Sequence, residues 1–223
     1  MGSSAIGGAR WKRSVANSPV QTSQRPGVTG AAPDGDTAGV TRIVAGIAGG
    51  RRLAVPPGER TRPTSDRARE ALFGTLSGLV HLDGGRVLDL YAGSGAVGLE
   101  AVSRGAAHAL LVDSDARAAA VARDNARALG LADRVTVRRD RVERVLAGEP
   151  EPHDLVFADP PYALPDDELA ATLRRLTEGW LWAGAVLAVE RSSRGAAPRW
   201  PDRVEGLKQR RYGEGTLWYG RFL

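Results

Sequence analysis

The 223-residue chain contains no cysteine, so disulfides, zinc-thiolate sites and thiol nucleophiles are excluded. Histidine is scarce as well. His81, His108 and His153 are the only three, scattered without metal-ligand spacing, and no metal site is expected. No uninterrupted apolar stretch approaches a membrane span, and residues 1–20 lack the apolar core of a secretion signal. The expectation is a soluble cytoplasmic protein without a membrane partner. Internal repeats are missing. Lysine nearly is: Lys12 and Lys208 are the only two among 31 basic residues, and such a bias toward arginine is the mark of a G+C-rich genome.

What remains suits one α/β domain with an appendage, well above the size needed for a core. The net charge of +5 is modest but unevenly spread. Residues 42–69 hold seven arginines against Glu59 and Asp66, and residues 190–223 hold eight basic side chains against four acidic ones. Basic ends around a neutral to acidic middle suit a polyanionic substrate, although the arginine bias by itself explains part of the excess.

Residues 1–40 are rich in Gly, Ser, Ala, Thr and Pro and are expected to be a disordered extension. Residues 41–82 form a second unit, an N-terminal hairpin and helix. Two short strands, Ile43–Gly46 and Arg51–Val55, are expected around Gly49-Gly50, followed by a proline-rich loop. Thr64 or Ser65 then caps a helix with a stripe of Ala68, Ala71, Leu72, Leu76 and Leu79. Residues 83–223 alternate strands and helices and close on two strands near Leu207–Tyr212 and Thr216–Phe222, joined by Gly213-Glu214-Gly215. The fold class is therefore α/β and Rossmann-like. Its sheet should be seven-stranded and mostly parallel with one antiparallel strand, with helices on both faces.

Two motifs carry chemistry. The first is the apolar run Arg86-Val87-Leu88-Asp89-Leu90-Tyr91 followed by Ala92-Gly93-Ser94-Gly95-Ala96-Val97-Gly98, a strand, glycine turn and helix. Asp113 closes the next apolar run, twenty positions after Gly93, where an acid can hold ribose hydroxyls. The glycine pattern alone fits a nicotinamide enzyme, an S-adenosylmethionine enzyme or a turn with no ligand. Asp89 tips the balance, because a carboxylate burdens a pyrophosphate site and favours a sulfonium cation. The second motif is Asp159-Pro160-Pro161-Tyr162, directly after the apolar run Leu155–Ala158. Prolines donate no N–H and hold the chain extended, which frees carbonyls to face a ligand. Asp159 would accept from an amine while the Tyr162 ring stacks on a flat base. The bland reading is a proline-terminated strand with a rim tyrosine.

With these residues placed, the chain resembles the class I S-adenosylmethionine-dependent methyltransferases. More narrowly, it is similar to the RsmD family, bacterial enzymes that methylate a guanine N2 in 16S ribosomal RNA. The resemblance covers residues 41–223. It rests on Arg42–Gly46, on Arg62-Pro63-Thr64-Ser65-Asp66-Arg67-Ala68-Arg69-Glu70-Ala71-Leu72-Phe73, on Asp89–Gly95 and on Asp159–Tyr162. One departure is Gly74, where the family usually has asparagine.

The resemblance implies a division of labour. Asp89, Tyr91, Gly93, Ser94 and Gly95 would line the methionine end of S-adenosyl-L-methionine, Asp113 would bind its ribose, and Ser114 and Asp140 would lie near its adenine. Asp159 and the Pro160 carbonyl, held by Pro161, would grip the guanine amine, with Tyr162 stacked on the ring. Arg62, Thr64, Arg67 and Arg69 would contact RNA. The implied partner is 16S rRNA, in the small ribosomal subunit or its assembly intermediate, and a chain of this size is expected to act as a monomer. Two enzymatic alternatives share parts of the pattern: an adenine-N6 DNA methyltransferase has the tetrapeptide, and an NAD-dependent oxidoreductase has the glycine turn. A third, a non-catalytic RNA-binding factor, would not need both Asp159 and Tyr162.

Overall fold

The computed structural model describes residues 41–56 and 64–223. The expected extension 1–40, most of the proline-rich loop and Arg62 lie outside the described residues, as does the side chain of Thr64. Thr64 is the first residue of helix α1 (Thr64–Leu76). Strand β1 (Arg86–Leu90) leads through the glycine turn into α2 (Ala96–Ser103). Then come β2 (His108–Asp113), α3 (Ala116–Leu129), β3 (Val135–Arg139), α4 (Val142–Leu146), β4 (His153–Ala158) and α5 (Asp166–Leu176). Three strands end the chain: β5 (Leu181–Ser192), β6 (Val204–Tyr212) and β7 (Gly215–Phe222).

These form one seven-stranded sheet in the order β3-β2-β1-β4-β5-β7-β6. Strands β1 to β5 pair in parallel, whereas β7 runs antiparallel to both β5 and β6. The sheet is therefore mostly parallel with one reversed strand, as the alternation of elements implies. The final hairpin inserts β7 between β5 and β6, so β6 is an edge.

Strand alternation sorts the core into two layers. Val87, Leu155, Phe157, Val186, Ala188, Leu217 and Tyr219 face one side, where α1, α2 and α3 cover them. Leu88, Leu90, Val156, Ala158, Leu187 and Val189 face the other, against α4 and α5. Each such buried aliphatic side chain contributes roughly 1.5–3 kcal/mol, and a strand buried on both faces reads as the unbroken apolar runs seen in the sequence. Helix α3 starts at Asp115, whose carboxylate accepts from the Arg117 and Ala118 N–H groups, and ends at Gly130 with φ 72°. Helix α5 places Asp166, Asp167 and Glu168 in its first turn and Arg174 and Arg175 in its last, complementing the helix dipole at both ends.

The N-terminal hairpin is tighter than two strands. Its ladder reduces to a bridge between Arg42 and Arg52, with Ile43 N–H donating to the Arg51 carbonyl and Leu53 N–H to that of Thr41. The turn is anchored from below. Glu100 of α2, fully buried, accepts from the Val44 and Ala45 N–H groups at 2.6 and 2.9 Å and from Arg104 Nε at 2.7 Å.

Candidate active site

In this strand order the chain leaves β1 toward β2 and β3, then returns to β4 on the opposite flank of β1. The crevice between the carboxyl ends of β1 and β4 is the topological switch point, where open parallel sheets bind ligands. Register places the predicted residues around it. Leu90 is level with Val112 and with Ala158, so Tyr91, Asp113 and Asp159 leave the sheet side by side. Ala158 is level with Val189, which sets Glu190 beside Asp159.

Asp89 lies one position earlier, its side chain on the α2 side, where one carboxylate oxygen accepts the Gly98 N–H at 2.8 Å. It is 1% exposed. Burial pushes its carboxyl up to about 8, the Gly98 hydrogen bond opposes this, and the nearby charges of Asp159 and Asp113 add to the rise. Three carboxylates therefore share one end of the sheet.

The glycine turn is shaped by steric necessity. Gly95 precedes α2 with φ 78°, and a Cβ there would lie 2.8 Å from Leu111 Cδ1. At Gly98 a Cβ would lie 2.1 Å from Leu111 Cδ2. The first glycine of the pattern, Gly93, has φ 54° and donates its N–H to Asp113 Oδ2 at 2.8 Å. Asp113 Oδ1 accepts from Asp115 N–H, also at 2.8 Å. Asp113 thus ties the β2 end to the glycine turn. Ser94 is buried, and Asp140 donates its N–H to the Asp113 carbonyl at 3.1 Å. Ser114 is exposed at the same edge.

Tyr91 departs from simple alternation. It is the non-glycine residue with positive φ (59°) among the described residues, a conformation costing roughly 1–2 kcal/mol. The flip sends its ring toward α5 and the second core layer, where burial pushes the hydroxyl up to about 12 with Thr172 beside it. The Tyr91 side chain therefore packs beneath the site while its backbone forms part of the rim.

Asp159 is exposed at the end of β4, its N–H 3.5 Å from the Leu90 carbonyl across the crevice. Pro160 is buried, Pro161 is exposed, and the Pro161 carbonyl accepts the Leu164 N–H at 2.8 Å to close a turn. Tyr162, on that turn, is 43% exposed. Sequence reasoning missed what supports the turn. Arg191 at the end of β5 is buried, and its Nη2 donates to the Leu164 carbonyl at 3.0 Å and to Asp166 Oδ1 at 2.9 Å. A Glu190-Arg191 pair directly after the apolar run Ala185–Val189 was the available signal.

Asn125 was missed as well. Buried on α3, it donates to the Ser94 carbonyl at 3.0 Å and to the Ala54 carbonyl at 2.9 Å, and accepts the Ala54 N–H at 2.8 Å. One amide therefore fastens the glycine turn to the end of the N-terminal hairpin segment. Of the arginines expected to contact RNA, Arg67 is exposed on α1. Arg69 sits differently. It is 5% exposed, bonds the Arg42 carbonyl and lies 3.7 Å from Glu100 Oε2, so its charge is spent inside the protein, holding α1 to the hairpin.

Residues 41–221 match the family described as conserved hypothetical protein 95. The chain is 36% identical over 170 residues to the Ribosomal RNA small subunit methyltransferase D of Escherichia coli K12, covering 76% of this chain and 83% of that protein. Its namesake from Haemophilus influenzae is 34% identical over 155 residues, covering 68% and 79%. Among solved structures, the Escherichia coli protein yhhF superposes with a TM-score of 0.72 at 31% identity, over 82% of this chain and 98% of that one.

Proposed function

This chain belongs to the conserved hypothetical protein 95 family, the RsmD methyltransferases that its motifs resemble, and from that premise we propose that it methylates the exocyclic N2 amine of a guanine in 16S rRNA, with S-adenosyl-L-methionine as the donor. The observation that carries the reading is the meeting of Asp89, Asp113 and Asp159 around the switch point. Such a cluster favours a cationic ligand, and the glycine-lined turn beside it keeps side chains out of the approach. The residues present fit the donor. A pyrophosphate would meet the same carboxylates at a penalty, which weighs against a nicotinamide cofactor. The rRNA methyltransferase relatives favour RNA over adenine-N6 DNA methylation.

In this proposal Asp89 and the turn Tyr91, Gly93, Ser94 and Gly95 hold the methionine end, Asp113 the ribose, and Ser114 and Asp140 the adenine side. When bound, the donor supplies an electrophilic methyl group on a sulfonium. Asp159 and the Pro160 carbonyl accept the two N–H bonds of the guanine N2, turning its delocalised lone pair toward that methyl. Tyr162 stacks on the ring and takes the place of the neighbours a flipped base leaves behind. Asp159 need not remove a proton before attack, because the amine becomes acidic only as it is alkylated. Arg191 holds the Leu164 side of the turn so that Tyr162 and Asp159 keep their spacing. Arg62, Thr64 and Arg67 contact the RNA backbone.

The test is incubation of the full chain with labelled S-adenosyl-L-methionine and small ribosomal subunits from a strain lacking the enzyme, followed by nucleoside mass spectrometry. N2-methylguanosine in 16S rRNA is expected. Label in N6-methyladenosine, or in protein, would refute the proposal.

A further inference from the structure

The edge strand β6 carries an exposed basic strip that takes no part in the site described above. Lys208, Gln209, Arg210 and Arg211 are all exposed, Tyr212 is half-buried, and together they line a shallow groove of about 490 Å³. No acid interrupts residues 206–213; the nearest in sequence are Glu205 and Glu214 at either end. The paired strand β7 covers only one edge of β6, so its outer N–H groups face away from the sheet.

Topology turns this strip toward the active site. Although it lies beyond the reversed strand in the sheet, β6 is parallel to β1–β5, because β7 is antiparallel to both of its neighbours. Its C-terminal half therefore ends at the same edge as Asp159. Arg210 is level with Leu217, Leu217 with Glu190, and Glu190 stands beside Asp159. Three strand spacings, about 14 Å of sheet, separate Arg210 from Asp159. Lys208, Arg210 and Tyr212 also share a face, with Gln209 and Arg211 on the other. Lys208 and Arg210 lie opposite Tyr219 and Leu217, both in the layer under α1, and Tyr212 packs against that same layer. Arg67 lies on α1 eight residues before Thr75, or about 12 Å along the axis toward its N-terminus. Thr75 faces Tyr219.

Resting on the RNA-methyltransferase reading, we infer that the β6 strip of Lys208, Arg210, Arg211 and Tyr212 is a second RNA-binding surface, which grips the backbone of a strand flanking the target nucleotide. Alternate positions along a strand are about 6.6 Å apart, comparable to the span between neighbouring phosphates on an extended chain. The two cations followed by an aromatic on one face thus offer phosphate, phosphate and base contacts in sequence. One or two charges are enough to guard a sheet edge against pairing with another sheet. The additional cation, the aromatic and the level position beside Asp159 fit a polyanion.

The experiment compares the full-length protein with the triple variant Lys208→Ala/Arg210→Ala/Arg211→Ala and the single Arg210→Glu. Binding to a 16S rRNA transcript and to small subunits from a strain lacking the enzyme is titrated against salt, and donor affinity is measured by calorimetry. The triple variant should bind both RNA forms at least roughly tenfold more weakly, with a log–log salt slope shallower by about 2. Its KM for RNA should rise, and its donor affinity should match the unmutated protein. Unchanged RNA affinity and slope would overturn the inference and leave β6 as a guarded edge. Loss of binding to subunits with unchanged binding to the transcript would overturn it in favour of a protein contact. If the unmutated protein binds RNA through β6 yet methylates no guanine, the surface stands and the functional reading falls.

Discussion

Replacing Asp89 with asparagine isolates the electrostatics of the proposed donor site. The asparagine Oδ1 can still accept the Gly98 N–H, and its amide would face the carboxylates of Asp113 and Asp159, so the fold should survive. In the unmutated protein the Asp89 carboxyl ionises near pH 8 when folded, against an ordinary value of 3.8. A folded-state value above the unfolded one means that the folded protein keeps a proton that the unfolded chain gives up. The contribution to stability is full below about pH 3.8 and fades as pH rises through 8. Each pH unit is worth about 1.36 kcal/mol, so between about pH 5 and pH 8 this one group should cost roughly 4 kcal/mol. For a chain of this size that corresponds to about 10 °C in Tm. An asparagine side chain cannot titrate, so the Tm difference between Asp89→Asn and the parent should widen in favour of the variant across this range. Scanning calorimetry or fluorescence melts at half-unit pH steps would show it. The donor should act in the opposite sense: its binding to the parent should strengthen as pH rises from about 6 to 8, and to the variant should be weaker and flat. Parallel Tm curves for the two proteins would refute the idea that a buried, crowded carboxylate awaits a cation here.

Other perturbations separate chemistry from architecture. Asp159→Ala should abolish methyl transfer while calorimetry shows donor affinity nearly intact; equal loss of both would remove Asp159 from the amine-binding role. Gly98→Ala gains helix propensity but forces a methyl to within 2.1 Å of Leu111 Cδ2. Overpacking should win, costing about 1–3 kcal/mol in urea melts, and an unchanged midpoint would show that α2 can shift freely. Asn125→Ala breaks hydrogen bonds to both Ala54 and Ser94 and should cost about 1–3 kcal/mol. Hydrogen exchange at Ala54 should accelerate more than at Val87; equal protection would mean that the segment around Ala54 is held by other contacts.

Local chemistry alone determined much of this protein. Unbroken apolar runs such as Leu155–Ala158 are best satisfied by strands covered on both faces; Gly130 and Gly213 end elements by a positive φ that few other residues tolerate, and Asp115 begins α3 by its carboxylate cap. The glycine turn was legible for a related reason, since a Cβ at Gly95 or Gly98 would collide with Leu111, and the position of Asp159–Tyr162 at a strand end followed from the apolar run before it. The N-terminal hairpin was only partly so. Its residues favour extended backbone, but buried Glu100 captures the Val44 and Ala45 N–H groups that a longer ladder would have used.

What the tertiary structure decided are matters of distance along the chain. Arg69 reads like Arg67 in sequence, yet one helical position turned inward meets Glu100 and the other meets solvent. Tyr91 continues the strand pattern until a left-handed backbone sends its ring to the opposite layer. Arg191 and Asn125 gained meaning only when segments 25 to 71 residues away came within hydrogen-bond reach. Periodicity specifies which face a residue occupies; only the packed chain specifies what waits on that face.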